Sequence, residues 1–174
     1  MVQYAGIMLG TLSAQTRNIL TTYSRVAMVG VSGNPTRASY RALVHMKSKG
    51  YTVYPVNPSY DEILGLKCYK SLLDITEPVD IVDIFRRADT VLPLIGEAVE
   101  IGAKVFWMQI GVINEDAARQ AAAAGLEVVM DRCVKIEHCR FFGKKDYGLD
   151  VVGLHSGVLT SDRYECMFPG PAQP

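Results

Sequence analysis

The chain has 174 residues, 49% of them apolar, and its 18 basic and 18 acidic side chains give a formal net charge of zero. That length and apolar content suit one domain around a single core, and the balanced charge lacks the basic footprint with which nucleic-acid binders hold phosphate backbones. No apolar run reaches the roughly 18 residues that a membrane-spanning helix needs, so no membrane role is expected.

Along the chain, apolar runs of strand length alternate with longer segments of helical period, the pattern of a parallel sheet covered on both faces. Residues 1–10 are mildly apolar but no charged segment precedes them, which argues against a secretory signal. This acid-free start faintly resembles an organellar transit segment, and the cytoplasm is the default location. Residues 13–23 read as a leading helix capped by Ser13, with Ile19 and Leu20 inward. Residues 25–31 form the first strand and 39–49 a helix with Leu43, Val44 and Met46 inward and Gly50 as its stop. The second strand is 51–56, followed by an irregular crossing around Gly65 with a small hairpin of 63–64 and 67–69.

Strand 79–85 leads to a helix over 90–101, with Pro93 tolerated in its first turn. Strand 103–109, a helix over 114–124 capped by Asn114, a short strand over 127–130 and a last helix over 134–142 complete the pattern. Past Gly143 the pattern weakens; 151–160 reads as an edge strand and 168–174 as a loose tail. The expected fold is α/β, a Rossmann-like doubly wound parallel sheet of about five strands with helices on both faces. Residues 1–143 form its domain, and 144–174 are a C-terminal extension without an assigned role.

Charge is uneven within the neutral total, because the first acidic residue is Asp61 and Arg17, Arg25, Arg37, Arg41, Lys47 and Lys49 precede it. A small polyanion suits that half of the chain. The stretch Val26-Ala-Met-Val-Gly-Val-Ser-Gly-Asn-Pro-Thr-Arg-Ala-Ser39 runs from a buried strand through small residues into a helix start. Small residues let backbone approach an anion, and the unpaired amides and dipole of a helix start favour negative charge. After the second strand, where a protein that grips the ribose hydroxyls of NAD carries Asp or Glu, stand Asn57 and Pro58.

The strand ends define five loops, which hold Ser32, Asn34, Arg37, Ser39, Tyr40, Asn57, Pro58, Phe85, Arg86, Arg87, Trp107, Gln109 and Gly111, a set that suits binding more than bond-making. No histidine lies at those ends, and Asp83 lies in a strand beside the site without an evident partner. Asp89 and Asp131 read as a cap and an ion-pair partner, so no acid, base or nucleophile is assigned. Ser32 lacks the Gly-x-Ser-x-Gly elbow and reads as an anion donor. The cysteines Cys68, Cys133, Cys139 and Cys166 make no Cys-x-x-Cys pair, and His45, His138 and His155 add no chelating spacing, so no metal is expected. Cys133, between Arg132 and Lys135, has two readings, a thiol whose pKa the cations lower and a small buried residue.

Five stretches in order, Val26-Ala-Met-Val-Gly-Val-Ser with Pro35 and Ser39-Tyr40-Arg41, Pro55-Val-Asn-Pro58, Val82-Asp-Ile-Phe-Arg86, Trp107-Met-Gln-Ile-Gly-Val-Ile-Asn-Glu115 and Val129-Met-Asp-Arg-Cys133 with Ile136-Glu137, resemble the small bacterial and archaeal CoA-binding proteins. That group is similar to the CoA-binding domain of the succinyl-CoA synthetase alpha subunit standing alone, and the likeness runs from about Ser13 to Phe142. The resemblance implies coenzyme A as cofactor, its diphosphate on the turn of Gly30, Val31, Ser32, Gly33 and Asn34, with Pro35 beside it, and on the helix start at Ser39 and Tyr40. It places adenine and ribose near Asn57 and Pro58, the 3′-phosphate on Arg37 or Arg41, and the pantetheine arm past Phe85 and Arg86 toward Gln109, Ile110 and Gly111.

The synthetase also needs a phosphohistidine domain and a partner subunit, which these 174 residues do not supply, so its ligase reaction is not implied. The expected function is binding of CoA or an acyl-CoA, as a sensor or carrier, with a homodimer or protein partner as recipient of the signal. A nicotinamide-dependent oxidoreductase and a nucleotide-binding regulatory module are the alternatives.

Overall fold

Val26 to Val29 and all four residues of 81–84 and 105–108 are buried. Strands covered on both sides are what a parallel sheet between two helical layers requires. The computed structural model describes residues 5–143, with side chains from residue 13 onward. The edge strand and tail read beyond Gly143, and the C-terminal extension with them, lie outside the described residues. In chain order the elements are α1 (Ala5–Thr22), β1 (Arg25–Val29), α2 (Ala38–Ser48), β2 (Thr52–Val56), β3 (Glu62–Ile63), β4 (Leu66–Lys67), β5 (Ile81–Ile84), α3 (Leu92–Glu100), β6 (Val105–Met108), α4 (Glu115–Ala123), β7 (Glu127–Val129) and α5 (Val134–Phe142).

The main sheet has the order β2-β1-β5-β6-β7, with every pairing parallel. The chain therefore travels outward from β1 to β2, returns to β5 on the other side of β1, and continues outward to β7. Alternate side chains feed two cores. Met28, Ile81 and Trp107 pack with Ile19, Leu43, Met46 and Val134 under α1, α2 and α5. Val82, Ile84, Phe106 and Met108 pack with Ile95, Ala98, Ala117 and Ala121 under α3 and α4. Each of the larger aliphatic side chains so buried contributes about 1.5–3 kcal/mol.

Several local readings hold to the residue. Asn114 caps α4 by accepting the Ala117 N–H at 2.9 Å, and α5 spans Val134–Phe142. The small hairpin is present with shifted arms, β3 and β4 in place of 63–64 and 67–69: Leu64 and Gly65, at φ 57° and 71°, make its two-residue turn, whose left-handed backbone matches strand twist. Others need correction. The leading helix is already formed at Ala5, so Ser13 is an interior residue and not its cap. Val44 is 38% exposed, because Ala42, Leu43, His45 and Met46 already fill the inward stripe of α2. Helix α3 begins only at Leu92, after a single 3-10 turn at Ala88–Thr90, and Asp89 pairs with Arg87 at 2.7 Å instead of capping it.

At the amino end of the sheet Arg25 grips Asp80 through Nε at 2.9 Å and Nη2 at 2.5 Å, and the Ser24 and Arg25 amides add to it. The Arg25 guanidinium holds the Asp80 carboxyl below its usual range although burial opposes this. The brace ties β1 to β5 at the end remote from the ligand crevice.

Candidate functional site

Strand order reverses between β1 and β5, and the crevice above their carboxyl ends is where open α/β sheets take ligands. Gly30 closes β1 at φ +83°, with its N–H donating to the Val56 carbonyl at 2.8 Å. A Cβ there would stand 2.7 Å from Arg86 Cδ and 2.9 Å from the Phe85 carbonyl oxygen, so the loop after β5 lies directly on this glycine. On Gly33 a Cβ would stand 2.8 Å from Tyr60 Cε1. Both glycines thus admit a second loop against the turn.

The turn is held by its own side chains. Ser39 Oγ accepts the Ser32 N–H at 3.1 Å, Ser32 Oγ accepts the Asn34 N–H at 3.1 Å, and Asn34 Oδ1 accepts the Thr36 N–H at 2.9 Å. The Asn34 carbonyl takes the Arg37 N–H at 3.0 Å. Those four amides are engaged, while the hydroxyls of Ser32 and Ser39, acting there as acceptors, keep their protons to donate. Helix geometry leaves the amides of Ala38, Ser39 and Tyr40 without intrahelical acceptors, and Arg37 at the cap position makes no side-chain capping bond. The donor end of α2 is therefore narrower than the whole turn read from sequence, and it lies at the positive end of the helix dipole.

Around this helix start stand Arg37, Arg41 and Arg86, none of them in a salt bridge among the described residues. Pro35 is exposed and Tyr40 half-buried beside them. Asn57 spends its side chain on the scaffold: Nδ2 donates to the Val31 carbonyl at 2.8 Å and Oδ1 accepts the Ser59 N–H at 2.9 Å. Pro58 is exposed next to it. Phe85, half-buried, hangs from β1 through its N–H to the Val29 carbonyl at 2.8 Å.

Past β6, Gln109 is buried, whereas Ile110 is 65% exposed. The Gly111 N–H donates to Asp131 Oδ1 at 2.8 Å, which makes Asp131 a loop brace and not an ion-pair partner. Trp107, fully buried, donates its Nε1–H to the Arg132 carbonyl at 2.8 Å and so ties the loop before α5 to the sheet.

Three features escape the sequence reading. Asp83, fully buried in β5, has a partner after all: Gln109 Nε2 donates to its Oδ1 at 2.7 Å. Burial pushes its carboxyl up to about 8. Tyr60 covers Gly33 from a loop that periodicity leaves irregular. Lys135, 7% exposed, makes no salt bridge among the described residues; burial lowers its pKa, the Cys133 thiol opposes that, and Arg41 lowers it further. The first two follow from strand register and loop packing that no single segment encodes, and the signal for Lys135 is its place in the first turn of a helix, between Val134 and Ile136. Cys133 is half-buried, and the reading of a thiol lowered by its cationic neighbours fails. Burial raises its thiol pKa, and the Ile136 and Lys135 amides and the Lys135 charge do not offset this.

Among the described residues no three of His, Cys, Asp and Glu are placed to hold a metal ion, and no helix is long and apolar enough to cross a membrane. A five-stranded parallel sheet with helices on both faces and a crevice at its switch point is a Rossmann-like α/β domain. A family model described as a CoA binding domain matches residues 24–139, and the chain belongs to that family. It is 41% identical over 125 residues to the uncharacterized protein YneT of Bacillus subtilis, a match covering 72% of this chain and 93% of that one. A solved structure of a hypothetical protein from Pyrococcus horikoshii OT3 superposes with TM-score 0.73 at 40% identity, over 75% of this chain and 92% of that one. Acetate–CoA ligase (ADP-forming) II of Archaeoglobus fulgidus is 30% identical over 138 residues, 78% of this chain but 20% of that enzyme.

Proposed function

We infer that the chain binds coenzyme A, free or acylated, across the carboxyl ends of β1, β2, β5 and β6, and serves as a carrier or sensor of it. The observation that carries this reading is the start of α2. It offers three amides and no side-chain cap, and Arg37, Arg41 and the buried Lys135 stand near it without carboxylate partners among the described residues. Buried charge that lacks a protein counter-ion is costly, and a phosphate removes the cost.

In this reading the diphosphate lies against Gly30 to Asn34 and the amides of Ala38 to Tyr40, with the hydroxyls of Ser32 and Ser39 donating. The 3′-phosphate meets Arg37, Arg41 and Lys135. Adenosine lies over Pro58 beside Tyr60, and Asn57 shapes the loop instead of touching the ligand through its amide. The pantetheine arm follows Phe85 and Arg86 to Gln109, Ile110 and Gly111. β2 ends without a carboxylate for a ribose diol, which favours CoA over NAD.

Titration calorimetry with CoA, dephospho-CoA, NAD and NADP tests this. CoA binds, dephospho-CoA binds about tenfold more weakly for the loss of one charge-assisted contact set, and NAD gives no heat. No heat from CoA at millimolar concentration refutes it. The sensor role finds support in Ile110 and Ile113, 65% and 54% exposed on the rim of the crevice, where a second copy or a protein partner could read occupancy. Sedimentation mass unchanged by CoA, with no partner whose binding CoA alters, removes that role and leaves the carrier.

A further inference from the structure

We propose that Asp83 is a positioning residue for this site: it fixes the side-chain amide of Gln109 so that Gln109 Oε1 faces the ligand as an acceptor for an N–H of the pantetheine arm. The inference rests on the CoA reading above and adds to it the polarity of one contact and the residue that sets it.

Side chains alternate along a strand, and Ile81 packs under α2 and α5 while Val82 and Ile84 pack under α3 and α4. Asp83 therefore points to the α2 and α5 side, the side of the helix start. Its register partner on β6 is Trp107, which packs on that side, and Gln109, just past the end of that strand, is the next residue of the same parity. The two side chains meet there, with Gln109 Nε2 donating to Asp83 Oδ1 at 2.7 Å. The Gln109 backbone is fixed as well, its N–H on the Ile84 carbonyl at 3.3 Å and its carbonyl accepting the Val112 N–H at 2.8 Å.

A side-chain amide has a donor end and an acceptor end, and its neighbours decide which faces where. Gln109 Nε2 donates to Asp83 Oδ1, so Oδ1 is the accepting oxygen of the carboxyl, its proton belongs on Oδ2, and the NH2 end of Gln109 is held there with the amide oxygen turned away. Among the described residues no hydrogen bond reaches that Gln109 Oε1. Asp83 Oδ2 is fully buried and has no hydrogen-bond partner there either, so the one side-chain hydrogen bond of the carboxyl is the hold on Gln109, with the Ile84 amide beside it. Burial keeps this carboxyl neutral at pH 7. Neutral aspartic acid has the donor and acceptor layout of asparagine, and this sets the choice of variants.

Calorimetry compares CoA with adenosine 3′,5′-bisphosphate, which shares the adenosine and 3′-phosphate and lacks the pantetheine arm. In Asp83→Leu, which keeps the branched shape and removes the acceptor, CoA affinity falls about five- to tenfold and bisphosphate affinity stays within twofold. Asp83→Asn retains wild-type affinity for both. Gln109→Leu reproduces the selective loss, and Asp83→Leu added to it costs nothing further, as expected of two residues acting through one contact. Equal losses for both ligands, additive losses in the double variant, or a loss in Asp83→Asn matching that in Asp83→Leu each overturn the proposal while leaving CoA binding intact. Failure of the wild type to bind either ligand overturns the CoA reading and this inference together. The bisphosphate arm and thermal melting show that each variant is folded.

Discussion

Replacing Asp83 by asparagine removes the pH dependence that a buried carboxyl imposes on folding. In the native protein this group holds its proton up to about pH 8, against an ordinary value of 3.8. Between those values the unfolded chain has released the proton and the native chain has not. The native state thus binds more protons, and stability falls as pH rises. The slope is about 1.4 kcal/mol per pH unit, so the wild type loses roughly 4 kcal/mol from this group between pH 5 and pH 8. The asparagine variant has the same shape and the same hydrogen bond from Gln109, and it loses none of this. Other titrating groups are common to both proteins and cancel in the difference. Urea unfolding at pH 5, 6, 7 and 8, extrapolated linearly to water, measures it. The expected result is a variant that gains on the wild type steadily with pH. Parallel curves, differing by a constant within about 1 kcal/mol, would falsify the protonation argument.

The histidine pair between α2 and α5 acts in the opposite direction. His45 Nε2 and His138 Nδ1 lie 3.1 Å apart, and burial, with His138, Lys135 and Lys49 adding to it, pushes His45 down to about 4. A depressed histidine contributes stability that is present above its unfolded value of 6.5 and is lost as pH falls toward 4, here about 3 kcal/mol. His45→Gln accordingly shows a smaller drop in melting temperature between pH 7 and pH 4.5, and an unchanged drop argues against the pair. At the crevice, Gly30→Ala places a Cβ 2.7 Å from Arg86 Cδ on a backbone at φ +83°. It costs about 2–3 kcal/mol in urea unfolding and weakens CoA in calorimetry, and a loss below 0.5 kcal/mol would show that the loop over Gly30 yields freely.

How much of this was readable in advance follows from which interactions are local. Strands such as 81–84 and 105–108 declare themselves because burial on both faces demands an unbroken apolar run. Asn114 is legible as a cap because its acceptor serves an amide three residues away. Val44 misled because an apolar residue beside an apolar stripe is counted with it, though 3.6-residue geometry puts it outside. Of the candidate site, the glycine turn and the helix start that follows it are legible in composition. The internal bonds of Ser32, Asn34 and Ser39 were not, because the same residues serve equally as donors to an anion and as acceptors for their own loop. The Asp83–Gln109 contact needs the register of β5 on β6, and neither segment specifies its neighbour's alignment.

Trp107 is the single tryptophan of the chain, and its indole N–H is anchored to the loop that leads into α5. The molecule thus carries its own fluorophore, shielded from solvent and wired to one rim of the crevice. Any ligand that shifts this loop alters the emission without a label, whereas one that settles only on the opposite rim leaves the spectrum as it was.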